Sequence, residues 1–251
     1  MKKIVGILLA IVWLNNTQAQ KVPVANFYEQ IKKYDLSEVL APDSIGDGRK
    51  IKKSEILGFI GDNYQRFYIH FISIIQNPTN SYEYFAYGKT KVKQNICTFQ
   101  GTIKVSEAKL NVESGDCTDC QQGYAVCDVL LFEDGKLSGT GFFEGKLTTN
   151  FTFDTKGNIE YDAIYLSADG FSNNGFVGNW TSYKTKIAKK CHWGDYRIPE
   201  SSDLDIGAGE FIINDKYVNN GWENFMLCYY GREENPKVKA ARQKEKEQWW
   251  K

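Results

Sequence analysis

A series of extended stretches, joined by turns too short to hold a helix, restricts the fold of this chain more than any other feature. Residues 65–75 (QRFYIHFISII), 82–92, 96–112, 123–132, 137–147, 150–154, 158–167 and 175–187 are rich in aromatic and β-branched side chains. Between them lie turn-forming sequences such as QNPTNS, EDGK and DTKG. A parallel crossover needs about a dozen residues or more, so sequential strands are expected to pair antiparallel. About eight such strands lose both exposed edges and enclose an apolar face by curling shut. The expected fold is therefore mainly β: an antiparallel up-and-down barrel over residues 59–188, with a two-sheet sandwich as the alternative.

Alternation is clearest where Ile159, Tyr161, Ala163 and Tyr165 share one face and Glu160 and Asp162 the other. Gly139, Gly141, Gly145 and Gly178 fall inside strand patterns, where a curved sheet needs bends or bulges. If Phe143, Tyr161, Tyr165, Phe176 and Trp180 point inward, they either line an apolar cup or fill a core. His70, within FYIHFIS, is expected at the barrel mouth or as a hydrogen-bonded wall residue. The stretch FVGNWTSYK, with Gly178 and Trp180, resembles the Gly-x-Trp strand of lipocalin-like and avidin-like secreted barrels. The resemblance covers only these residues; it implies a barrel that takes a small ligand and assigns no binding residue.

Outside the barrel, Phe27, Ile31 and Tyr34 at helical spacing predict one short helix within 24–40, followed by a polar linker to residue 58. Residues 189–251 read as an extension tied down by a disulfide and ending in a charged helix after Pro236. The start of the chain, with MKK, the apolar run Ile4–Leu14 and then TQAQ, has the composition of an export signal cleaved after Ala19. Its eleven apolar residues fall short of the roughly 20 that span a bilayer, so no transmembrane anchor is expected after cleavage. Removing Lys2 and Lys3 from 31 basic residues leaves 29 against 31 acidic ones, a net charge of −2. That balance provides no basic field for nucleic acid.

Six cysteines in an exported chain read as disulfides. Cys191 with Cys228 is the favoured pair for strapping the extension, and CTDC (117–120) reads better as a loop staple, or as two half-cystines pairing elsewhere, than as a redox dithiol. Asp203, Asp205 and Glu210, spaced by glycines, offer oxygen ligands for calcium. An ordinary solvated turn uses the same residues, so no cofactor is required. Two histidines supply few ligands for zinc. The sequence contains no nucleophile elbow, zincin pair, phosphate loop or dinucleotide fingerprint. The reading that follows is a secreted or periplasmic, non-catalytic protein that binds a small apolar or glycan-like ligand, or another envelope protein. A carboxylate-dependent hydrolase and a pocket-free structural component of the envelope are the alternatives.

Overall fold

The computed structural model describes residues 23–46, 48–113, 117, 119–232 and 235–251. The expected export signal and its expected cleavage point lie outside these residues. The described chain opens with a short strand β1 (Val24–Asn26) and two single helical turns, α1 (Tyr28–Ile31) and α2 (Ser37–Leu40). A small hairpin of β2 (Asp43–Gly46) and β3 (Arg49–Lys52) follows. Next come β4 (Leu57–Ile60), β5 (Gln65–Asn77), β6 (Asn80–Val92), β7 (Asn95–Asn111), β8 (Cys120–Glu133) and β9 (Gly141–Asp154). The three-residue strand β10 (Ile159–Tyr161), then β11 (Asn173–Ser182) and β12 (Ala188–Asp195), complete the sheet. The C-terminal part carries α3 (Glu223–Tyr230) and α4 (Pro236–Glu245).

Eight of these strands close into a ring. From β4 to β9 each strand pairs antiparallel with the next, β9 pairs β11, β11 pairs β12, and β12 returns to β4 through Cys191 opposite Ile60 and Gly194 opposite Leu57. The ring is uneven, because β4 contributes four residues and β7 seventeen. It runs from Leu57 to Asp195, wider than the 59–188 read from the sequence.

Eight was the expected number, but the membership differs. The stretches read at 137–147 and 150–154 merge into one strand, β9, which starts only at Gly141: Thr149 lies fully buried on its inward face, and the polar Thr-Thr-Asn is not a turn. The stretch 158–167 keeps only three strand residues; Asp162 then accepts from the Ile164 N–H and the chain turns away. The two strands that close the ring, β4 and β12, take their places.

The helix expected within 24–40 is replaced by β1 and two separate turns. The last residues of β7 overhang β6, and β1 pairs with that free edge, Val24 opposite Asn111 and Asn26 opposite Lys109. Covering an exposed ladder outweighs the propensity of a segment with one apolar stripe. In the linker, β2 and β3 pair where only a loop was expected.

The ring interior is a packed core over most of its depth. Phe71, Phe99, Ile103, Val129, Leu131, Leu147, Phe151, Phe176 and Trp193 are all buried, and Phe176 stacks on Trp193 at 3.7 Å between ring centroids. One end is plugged from outside: Phe27, Ile31, Leu36, Val39 and Leu40 pack into the same core, and the Leu36 N–H donates to the Tyr84 hydroxyl at 3.0 Å. A second apolar cluster lies outside the ring, where Leu57 and Phe59 meet Leu204, Phe211, Ile213, Trp222 and Phe225 of the C-terminal part. All four residues of β4 are buried because the extension covers the face that does not look into the barrel.

Arg66 fastens the end of the chain. Its guanidinium donates to both carboxylate oxygens of Glu245, at 2.8 and 2.6 Å, and lies over the rings of Tyr68 and Trp222. Beyond α4, Trp249 is buried against Tyr68 and Trp250 stacks on His70 at 3.7 Å. Within the charged helix α4, Val238 and Ala241 are both buried.

Candidate functional site

Opposite the plugged end, the barrel opens into a cup of about 840 Å³. Its apolar wall is formed by Ile60, Phe67, Val92, Phe143 and Trp180. Asn63, Asn95, Asn179, Lys93, Lys189 and Lys190 contribute the polar wall and rim. Within it lies one buried carboxyl, Glu133, whose residue is 7% exposed.

Strict alternation along β8 puts Glu133 there. Ala125, Cys127, Val129 and Leu131 face inward, and residue 133 falls on the same side of the strand. Three fixed donors hold the carboxyl: the Thr90 hydroxyl at 2.5 Å on one oxygen, and the Gly141 N–H and Trp180 indole N–H, each at 2.9 Å, on the other. These donors come from β6, β9 and β11, so a single side chain ties four strands at the open end. Residue 141 must be glycine in this arrangement, because a Cβ would sit 2.7 Å from the Trp180 indole and 2.2 Å from the Thr181 carbonyl oxygen.

Burial raises the Glu133 pKa above its ordinary 4.5, and the three hydrogen bonds oppose that rise by favouring the ionised form. Cys97 also lines the cup; burial pushes its thiol up to about 11, and the Glu133 charge adds to the effect. A thiol in that state is a poor nucleophile. The cup therefore offers aromatic walls, one polar anchor and a mixed rim, with no activated nucleophile.

Of the six residues read as ligand-binding, the structure brings Phe143 and Trp180 together at the cup, paired across β9 and β11. Phe176 is fully buried in the core. Tyr161 is fully buried as well, and its hydroxyl donates to Asp195 at 3.1 Å. Tyr165 is 45% exposed in the turn after β10. His70 faces outward beneath Trp250, with Nδ1 3.6 Å from Glu55, because its position in β5 has the opposite parity to the inward Phe67, Ile69 and Phe71. Glu133 was missed: the strand read from the sequence stopped at residue 132, one short of the charged residue at an inward position.

Asp195 belongs to a separate polar cluster. Lys53 approaches it at 3.1 Å with both side chains 2% exposed, the Asn174 amide donates to it at 2.9 Å, and the Lys53 ammonium sits 4.5 Å from the Tyr161 ring centre. Burial lowers the Lys53 pKa, and Asp195 opposes that fall. The Lys53–Asp195 pair joins the end of the β2–β3 hairpin segment to the ring, and the Asn174 side-chain oxygen is left buried with no hydrogen-bond partner among the described residues.

The three acids read as calcium ligands do not converge. Asp203 pairs with Lys216 and accepts from the Tyr217 hydroxyl, whereas Asp205 is bound by Arg197 and by the N–H groups of Gly207 and Ile212. Among the described residues no three His, Cys, Asp or Glu side chains group as metal ligands. The Cys191–Cys228 bridge is not formed. Cys191 is fully buried on the inward face of β12, Cys228 lies on α3 outside the ring, and both are free thiols. The disulfide joins Cys117 to Cys120 at the start of β8.

No helix among the described residues is long and apolar enough to cross a membrane. The outer face of the ring carries an apolar band in which Ile75 is opposite Phe85 and Phe132 opposite Phe142, with Ile75, Phe85, Tyr87 and Phe132 each more than 40% exposed. No family model, curated protein or solved structure matches this chain.

Proposed function

We propose that the protein is an exported, non-catalytic carrier that holds one small amphipathic ligand in the open end of the barrel. The observation that carries this reading is the cup itself: about 840 Å³, within the size range of small-molecule sites, with aromatic side chains in its wall and polar side chains around them to orient a guest. The apolar part of the ligand lies against Phe67, Phe143 and Trp180, and its polar part meets the asparagines and lysines of the rim. Glu133 sets the shape of the floor, because both its oxygens already accept from fixed donors. That commitment also weighs against a hydrolase, in which the acid or base must be free to exchange a proton with substrate. The leader-like N-terminus and the Cys117–Cys120 disulfide support export.

The test is titration of the mature protein with the amphipathic dye 1-anilinonaphthalene-8-sulfonate, read by energy transfer from tryptophan. One saturable site is expected, lost in Val92→Trp, whose indole intrudes between the aromatic walls of the cup. Unchanged dye binding in that variant would place the site elsewhere and remove the basis of the reading. A second reading, docking of another envelope protein, is favoured by the apolar band on the outer face. Phe85→Lys with Phe132→Lys would abolish such docking and leave the cup intact.

A further inference from the structure

We propose that a second, separate cleft between the β10–β11 loop and the C-terminal extension binds a small organic cation, such as a quaternary ammonium or an alkylated amine. The cleft encloses about 350 Å³ and is separate from the cup: none of the residues lining one lines the other. Its walls are two aromatic pairs from different elements. Phe171, in the β10–β11 loop, meets Tyr196 edge-on at 5.2 Å, and Phe225 meets Tyr229 on α3 at 4.6 Å. Aromatic faces attract a cation through the ring quadrupole, and several rings around one space are the usual way to hold a weakly hydrated ammonium.

Charge decides between a cation and the other guests that aromatic walls accept. Glu55, Asp169 and Glu210 all line the cleft, and Arg197 is its one basic residue. That guanidinium is already consumed: it pairs with Asp205 and donates to the carbonyls of Gly207 and Gly209. Asp169 and Glu210 have no ion-pair partner among the described residues, and Glu55 has only His70, at 3.6 Å. Two carboxylates with no ion-pair partner and a third that faces only His70 repel anions and give a neutral guest no advantage over water, whereas one cation gains from each of them.

The cleft is also held in shape. The Gly170 N–H donates to the Gly209 carbonyl at 2.8 Å, which fixes the loop to the extension. A Cβ at residue 209 would lie 2.8 Å from the Asp169 carboxyl carbon, so glycine is what lets that carboxylate stand here. Tyr196 is kept at φ of 66°, a region costly for a bulky residue, and its ring is thereby directed against Phe171.

The experiment compares choline with its neutral carbon isostere, 3,3-dimethylbutan-1-ol, by calorimetry or ligand-observed NMR on the full mature chain. Choline is expected to bind at least about tenfold more tightly than the isostere, because the two share shape and differ in charge. Tyr229→Ala, at a position 56% exposed and so harmless to folding, is expected to weaken choline about two- to fivefold. Asp169→Asn is expected to weaken choline and leave the isostere unchanged. Val92→Trp, which blocks the cup, is expected to leave choline binding intact, so failure of the cup reading and failure of this one are separable. Equal affinity for the two probes, no binding of choline, or indifference to both cleft variants would overturn the proposal.

Discussion

Replacing Glu133 separates its charge from its hydrogen bonds. In Glu133→Gln the amide oxygen can keep the bonds from the Gly141 and Trp180 N–H groups, and its NH₂ can donate to the Thr90 hydroxyl in place of accepting from it. The fold should therefore survive while the buried charge disappears. In Glu133→Ala three donors lose their acceptor; the Thr90 hydroxyl can rotate to another partner, which leaves two fixed ones, Gly141 N–H and Trp180 Nε1–H. A buried unsatisfied donor costs about 1–3 kcal/mol, but the cup admits water to this site, so the total should stay near about 1–3 kcal/mol rather than double. The pH dependence follows from the raised pKa. A carboxyl that holds its proton more tightly folded than unfolded stabilises fully below its ordinary value of 4.5, and that contribution is lost as pH rises through the folded value. Urea unfolding followed by tryptophan fluorescence between pH 4 and 9 should show wild-type stability losing this contribution with rising pH. Glu133→Gln should lack that component, and Glu133→Ala should lie below Glu133→Gln throughout the range. Parallel pH profiles for wild type and Glu133→Gln would refute the assignment of a buried carboxyl with a raised pKa at the base of the cup.

Other positions give further expected outcomes. Arg66→Ala leaves the Glu245 carboxylate buried without a counter-charge, which should cost about 3–5 kcal/mol and expose the chain beyond Pro236 to proteolysis; resistance equal to wild type would show that Arg66 does not clamp the tail. Lys53→Met should cost a similar amount by stranding Asp195, and adding Asp195→Asn should restore much of it, because the Tyr161 and Asn174 bonds persist; additive losses in the double variant would contradict a coupled pair. Iodoacetamide on the native protein, read by peptide mass spectrometry, should label Cys228 first, Cys97 slowly and Cys127 and Cys191 only on unfolding, since burial raises the last two thiols and excludes the reagent. Early labelling of Cys191 would mean that the barrel interior opens.

The architecture was legible because short connections leave antiparallel pairing no competitor. What was not legible follows from the same physics. The strands that close the ring are weak in sequence: β4 has four residues, and β12 begins with Ala-Lys-Lys on an exposed face, so neither carries an alternating apolar run. Their pairing is a long-range event that local periodicity cannot report. The register of β5 likewise shifts at a bulge between Phe71 and Ser73, which turns Ile74 inward and Ile75 outward in a run that reads as uniformly apolar. Phe143 and Trp180 could be named for the cup because both alternate cleanly in long strands. Tyr161 and Phe176 alternate as well, but the plug formed by residues 23–46 and the Trp193 ring occupy their part of the interior. A charge on the inward parity of β8 was the one local signal for Glu133, and it becomes visible only when the strand is followed to its last residue.

Native mass spectrometry of protein purified from its own host, compared with Val92→Trp prepared in the same way, weighs the contents of the cup directly. A discrete non-protein mass is expected on the wild-type chain and missing from the variant. A bare wild-type chain, or the same adduct retained in the variant, would contradict a ligand seated among Phe67, Phe143 and Trp180.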